Sequence, residues 1–172
     1  MRGSTCSSPR WMRPFPPRTA SFSSMAELSH VDEGGGVRMV DVGGKPLSRR
    51  RAEARATVSM AEGTAKRLHE LPKGDALVTA QLAGIMAAKR TSELIPLCHP
   101  LPLTRIDVSC RVAGAGVEIE AVVETTAQTG VEMEALTAAS VAALAVYDMA
   151  KAIDKEMVIH DVALVEKTKE PV

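Results

Sequence analysis

Aromatic residues are scarce in this chain of 172 residues, where phenylalanine, tyrosine and tryptophan together make up 2%. Three of the four precede residue 25, so Tyr147 is the only aromatic residue in the rest of the chain. Domains that bind RNA on a β-sheet stack the bases on aromatic side chains of the strands. This shortage therefore argues against an RNA-binding sheet.

Cysteines are few and scattered as well. Cys6, Cys98 and Cys110 are odd in number and are never spaced as Cys-x-x-Cys, which argues against a disulfide framework and a zinc knuckle. His99 has only the adjacent Cys98 as a nearby ligand, so we expect no metal site. This cysteine usage fits a reducing compartment, and we expect a cytoplasmic protein.

The chain also lacks net charge and long apolar runs. Its 21 basic and 21 acidic residues give a formal net charge of zero, which offers no general attraction to nucleic acid or to an acidic membrane. The alanine-rich segment 137–146 is bounded by Glu134 and Asp148, and it is shorter than the roughly 20 residues of a membrane span. We expect a soluble protein with neither partner.

Residues 1–24 differ in composition from the rest of the chain. They contain four arginines, several prolines, many serines and no acidic residue. One interpretation is an organellar transit peptide, which would place the protein in an organellar matrix, although the prolines disfavour the amphipathic helix of such peptides. Another is that translation begins at Met25. Both interpretations exclude residues 1–24 from the fold as a disordered or non-native leader and predict a single domain over residues 25–172.

The remaining sequence predicts an α+β fold. Alternation over residues 51–60 is typical of a half-buried strand, and Ser59 with Glu62 predicts a capping box that opens a helix to about Glu70. A break at residues 72–75, a helix from Asp75 to about residue 90, a hairpin over 106–123, a helix over 131–154 and a strand over 157–167 follow. This order is that of a ferredoxin-like (split βαβ) antiparallel sheet packed with helices.

Two basic segments could bind an anion. Lys89 and Arg90 end a predicted helix just before a proline-bounded loop that contains His99. They could instead only complement the negative end of the helix dipole. Lys73 precedes a turn glycine and a helix start, where backbone N–H groups could approach a phosphate. It could equally be an ordinary solvated lysine of a turn.

The long predicted helix carries Asp148 and Lys151 one turn apart. On an exposed helix such a pair is usually a weakly stabilising surface contact. Apolar neighbours, Leu144, Tyr147 and Met149, favour instead a functional pair or one buried between subunits.

Four segments together resemble the cyclic pyranopterin monophosphate synthases, the molybdenum cofactor biosynthesis protein C family. They are MVDVGGKP (39–46), KRTSELIPLCHPLPL (89–103), TGVEMEALTAASVAAL (129–144) and YDMAKAIDKEMVI (147–159). The resemblance extends over about residues 28–168, and several long ungapped motifs in the same order make it specific.

The resemblance implies a ferredoxin-like protomer, assembled as a trimer of dimers into a homohexamer with active sites at the dimer interface. It implies a lyase that converts 3′,8-cyclo-7,8-dihydroguanosine triphosphate into cyclic pyranopterin monophosphate and pyrophosphate. It assigns catalysis to Asp148 and Lys151. The substrate-binding residues that it implies, together with the basic candidates above, are Leu97, Cys98, His99, Met133, Glu134, Glu132, Lys73, Lys167, Lys89 and Arg90.

This chemistry consists of proton transfers and displacements, so we expect no organic cofactor. Two rival functions remain. A ligand-sensing module of the same fold would not need the Asp148 and Lys151 pair. A zinc-dependent GTP cyclohydrolase would need a set of cysteine and histidine ligands that the sequence lacks.

Overall fold

The computed structural model describes residues 36–172, which form four strands and four helices. They are β1 (Ser48–Ser59), α1 (Glu62–Ala65), α2 (Ala76–Lys89), α3 (Thr91–Leu94), β2 (Leu103–Val112), β3 (Gly116–Ala127), α4 (Glu132–Ala150) and β4 (Val158–Pro171). The predicted leader and residues 25–35 of the predicted domain lie outside this range.

The four strands form one antiparallel sheet in the order β2-β3-β1-β4. The central strand β1 pairs with β3 on one side and β4 on the other, and β2 pairs with β3 in a hairpin. In the hairpin turn, Gly114 has a φ of +57°, a conformation that favours glycine. This topology confirms the predicted α+β, split βαβ fold.

Helices α2 and α4 cover one face of the sheet with unusually small side chains. Ala52, Ala54 and Ala56 of β1 are at most 1% exposed. On the facing helix α4, the residues with no exposed surface include Ala135, Ala138, Ala139, Ala142, Ala143 and Ala150. Such side chains let the helix backbones approach the sheet closely. Helices α2 and α4 also pack closely on each other, because a Cβ added at Gly84 of α2 would lie 3.0 Å from the carbonyl oxygen of Ala138 on α4.

Helix α4 is long and apolar enough by length and composition to cross a membrane. It is nevertheless a core helix, because its alanines and Val146 are buried in the main hydrophobic cluster together with residues of β1, β3 and α2. The apolar composition of α4 is therefore that of a helix buried inside the domain.

The predicted capping box is wrong. Ser59 still belongs to β1, and its hydroxyl donates to the carbonyl of Val158 at 3.4 Å. Helix α1 therefore starts without a side-chain cap from its own segment and is only four residues long. Its first free N–H group, that of Ala61, donates to Asp154 Oδ2 at 2.8 Å, a long-range contact that local sequence cannot reveal.

The predicted helix over 131–154 is too long, since α4 ends at Ala150. Asp154 accepts hydrogen bonds from the backbone N–H groups of Ala61 and Glu156 and thus lies in the connection to β4. By contrast, the second helix begins near Asp75 as predicted, and the structure shows that Asp75 caps it, accepting from the N–H groups of Leu77 and Val78 at 2.8 and 3.0 Å.

Candidate active site

A cleft of about 800 Å³ opens between the start of α4, the loop before β2, strand β4 and residues 40–45. Seven of the residues proposed from the sequence line it: Leu97, Cys98, His99, Glu132, Met133, Glu134 and Lys167. The proline-bounded loop supplies the first three and α4 supplies the glutamates, so elements far apart in sequence meet here. The structure brings these predicted binding residues together.

His99 holds one wall of this cleft. Its Nε2 atom lies 2.8 Å from the carbonyl oxygen of Val40, and because a carbonyl only accepts, Nε2 carries the proton in this contact. Val40, Val42 and Lys45 complete that wall. The imidazole therefore couples the loop before β2 to the segment that precedes β1.

Two glutamates at the start of α4 differ in environment. Glu134 is 4% exposed, and this burial is the main cause of its raised pKa. The nearby charge of Glu132 also raises the pKa of Glu134, whereas a hydrogen bond from its own backbone N–H lowers it. Glu132 accepts a hydrogen bond from Lys167 Nζ at 3.1 Å. The cleft thus holds one carboxyl group whose pKa is raised by burial and one that is paired with a lysine.

Burial, with a smaller contribution from the charge of Glu134, also raises the pKa of the Cys98 thiol. A raised pKa favours the neutral thiol, which is a poor nucleophile. Cys98 is therefore suited to lining the cleft rather than to covalent chemistry.

A second cluster of charged groups lies at the other end of α4. Asp148 Oδ1 is 2.6 Å from Lys151 Nζ, and Asp148 Oδ2 is 3.3 Å from Lys73 Nζ. Hydrogen bonds from Lys151 and then Lys73 hold the pKa of Asp148 below its ordinary value, and Asp148 in turn raises the pKa of Lys151. The three side chains are each about half exposed, so this cluster is open to a ligand.

The cleft and the charged cluster are well separated within one chain. Glu134 and Asp148 both lie on α4, and at about 1.5 Å of rise per residue some 21 Å separates them. A single copy therefore does not assemble the predicted catalytic pair and the predicted binding residues of the cleft into one site; of the predicted binding residues, Lys73 lies with the catalytic pair.

Lys89 and Arg90 belong to neither group. Both are exposed at the C-terminal end of α2, and the residues that line the cleft do not include them. Their position matches the alternative reading, in which basic side chains complement the negative end of the helix dipole.

Sequence reasoning missed several residues of the cleft and its surroundings. Lys45 lines the cleft itself. Arg50 lies beside Lys167 in an adjoining cavity of about 260 Å³, and its guanidinium donates to the hydroxyl of Ser48 and the carbonyl of Gln128. The alternation of β1 contained the signal, because Ser48, Arg50 and Ala52 share the face that the helices cover.

Among residues 36–172, no group of three or more histidine, cysteine, aspartate or glutamate side chains is placed to hold a metal ion. The charges available to a ligand in this part of the chain are those of its lysines, arginines and carboxylates.

Fold and site together define a split βαβ protein with a mixed-charge cleft at one end of a core helix and an aspartate with two lysines at the other. The MoaC family model matches residues 39–170, and the chain belongs to that family. Relatives named cyclic pyranopterin monophosphate synthase are similar over most of their length. The protein of Heliobacterium modesticaldum is 58% identical over 84% of this chain and 93% of its own. That of Pelotomaculum thermopropionicum is 59% identical over 84% and 87%.

Proposed function

We propose that this protein converts 3′,8-cyclo-7,8-dihydroguanosine triphosphate into cyclic pyranopterin monophosphate and pyrophosphate, a lyase reaction at an early step of molybdenum cofactor biosynthesis. The observation that carries the proposal is the identity of 57–59% to several proteins that bear the name of this synthase, over 83–84% of the chain. The match includes both ends of α4, where the candidate site residues lie.

The charges of the two clusters suit such a substrate. A nucleoside triphosphate carries about four negative charges, which require several cationic or N–H donors. Lys45, His99 and Lys167 offer donors in the cleft. Lys73 and Lys151 add two ammonium groups beside Asp148.

Proton transfer is the chemistry that the charged cluster supports. Asp148 is held as a carboxylate and Lys151 as an ammonium by their mutual hydrogen bond. A substrate that displaces this hydrogen bond would free Asp148 to accept a proton and Lys151 to donate one or to stabilise developing negative charge. Glu134, with its raised pKa, adds a carboxyl group that can donate a hydrogen bond in its neutral form. We assign catalysis to Asp148 and Lys151 and substrate binding to the residues of the cleft together with Lys73.

Because one chain keeps the two clusters apart, we further propose that each site is shared by two copies. A two-fold axis perpendicular to α4 near Val141 would set two α4 helices antiparallel and bring the cleft of one copy toward Asp148 of the other. Val78, Leu82 and Met86 of α2 and Leu144 of α4 are each at least half exposed and offer apolar area for a second copy. The homohexamer, a trimer of such dimers, is the assembly that we propose.

The direct test is to incubate the purified protein with the cyclised dihydro-GTP substrate and to measure both pyrophosphate and cyclic pyranopterin monophosphate. Asp148→Asn keeps the shape of the side chain and removes its charge, and removing a positioned acid or base typically lowers turnover by about 10²- to 10⁴-fold. Asp107→Asn is a matched control, because Asp107 is equally exposed and also forms an ion pair, at 3.1 Å with Arg105.

Product formation by the parent and by Asp107→Asn, with little from Asp148→Asn, would support the proposal. Substrate binding without any product from the parent would contradict it and favour a ligand-sensing module.

A further inference from the structure

The loop that carries Lys73 is anchored at both ends in the core. Leu68 has no exposed surface and Leu71 is 6% exposed. The N–H of Ala76 donates to the carbonyl of Leu68 at 2.8 Å, and the N–H of Gly74 donates to that of Leu71 at 2.8 Å. Gly74 has a φ of +106°, which closes the turn in a conformation that favours glycine. The path of this backbone is therefore defined up to the tip at residues 72–73.

One side-chain pair joins the two ends of the same loop. Asp75 Oδ1 accepts the N–H groups of Leu77 and Val78, and its Oδ2 lies 2.8 Å from His69 Nδ1. The hydrogen bond with His69 is the largest cause of the lowered pKa of Asp75. Because an ionised carboxylate only accepts, His69 Nδ1 carries the proton, and both oxygens of Asp75 are engaged.

Lys73 extends from this loop to the C-terminal end of α4. Its Nζ donates to the carbonyl oxygen of Asp148 at 3.2 Å and to Asp148 Oδ2 at 3.3 Å. The side chain is half exposed, so little packing fixes its direction. The direction of the ammonium group therefore depends on its two hydrogen bonds to Asp148 and on the position of the loop from which the side chain extends.

We propose that His69 is a positioning residue: by holding Asp75 it fixes the loop that aims Lys73 at Asp148 and at the substrate beside it. The inference rests on the proposed function. His69 neither lines the cleft nor contacts Asp148, and it acts only through Asp75 and the backbone of residues 70–74.

The test compares His69→Ala with His69→Asn, in which the amide nitrogen occupies the place of Nδ1. We expect His69→Ala to lower kcat/KM by about three- to tenfold, mainly through KM, because a contact between exposed groups that only orients a binding lysine has a modest effect. His69→Asn should recover most of this loss. Lys66→Ala is the matched control, because Lys66 forms an exposed ion pair at 2.7 Å with Glu62 on the preceding helix.

A second comparison separates positioning from a general structural effect. In a Lys73→Met background, measured by single turnover at high enzyme concentration, His69→Ala should cause no further loss, since the two residues act in one chain of contacts. Hydrogen exchange at the Gly74 and Ala76 amides should be faster in His69→Ala than in the parent or in His69→Asn.

Parent-like kcat/KM and exchange in His69→Ala would overturn the inference, as would an undiminished effect of His69→Ala in the Lys73→Met background. An inactive parent would contradict the proposed function instead, and the exchange comparison would still decide whether His69 holds the loop.

Discussion

Two inactive variants should restore each other's activity if the site is shared between copies. Asp148→Asn disables the charged cluster and leaves the cleft intact. His99→Ala removes the imidazole that holds the cleft wall through Val40 and leaves the charged cluster intact. A mixed assembly can then contain sites that combine the intact cleft of one chain with the intact cluster of the other.

The size of the recovery follows from the geometry. The two clusters lie about 21 Å apart along α4, so a site cannot draw both from one chain unless that chain rearranges. After equal amounts of the two variants are mixed and randomly reassembled, half of the clefts are intact, and half of their partners carry an intact Asp148. About one quarter of the parent activity should return, and this fraction is the same for an isolated dimer and for a trimer of dimers.

The assay unfolds the two variants together in urea, refolds them and measures pyrophosphate release. Each variant refolded alone gives the baseline, and refolded parent gives the full scale. Recovery near one quarter supports the shared site. Activity that stays at the baseline, while native mass spectrometry shows oligomers that contain both variants, would refute it and would require a rearrangement within a single chain.

Three further predictions concern the rest of the molecule. Gly84→Leu should lower the free energy of unfolding in urea by about 1–3 kcal/mol, because the new side chain would meet the Ala138 carbonyl. Gly63→Ala should have little effect, because a Cβ at Gly63 would lie in open space. Two backbone N–H groups hold the pKa of Asp154 below its ordinary value, so the charge of Asp154 stabilises the fold at neutral pH. This contribution disappears as the pH falls through the lowered pKa, so the difference in stability between Asp154→Asn and the parent should shrink in acid. Deleting residues 1–24 should leave melting temperature and turnover unchanged, because their composition cannot bury much apolar area, and a loss of several degrees would show that they pack on the domain.

Much of the fold was predictable because local signals agreed with tertiary contacts. Alternation in β1 and β3 reports one buried face, and Asp75 marks the start of α2 with a cap that its own segment satisfies. The start of α1 was not predictable, since its first N–H group bonds to Asp154 from the far end of the chain. Local sequence patterns predict helices and strands whose caps and contacts lie within the same segment. They fail where the hydrogen-bond partner is distant in the sequence.

The candidate site, like the fold, was predictable from the sequence only in part. Resemblance to a family identified the cleft residues and the Asp148 and Lys151 pair, although periodicity alone left that pair open to a surface reading. No sequence pattern predicted that His99 would hold Val40 or that Arg50 would lie beside Lys167. These contacts join residues that are far apart in the sequence and meet only once the strands have paired and the complete fold has formed.

Tyr147, half buried against the core and immediately before Asp148, gives the protein a built-in optical probe. The only tryptophan of the chain, Trp11, and both phenylalanines precede residue 25, so a variant that starts at Met25 has Tyr147 as its single aromatic fluorophore. Its emission would come from one position on α4, immediately before Asp148 and four residues before Lys151. Changes around Asp148 during ligand binding or subunit exchange should therefore be visible as tyrosine fluorescence without any attached dye.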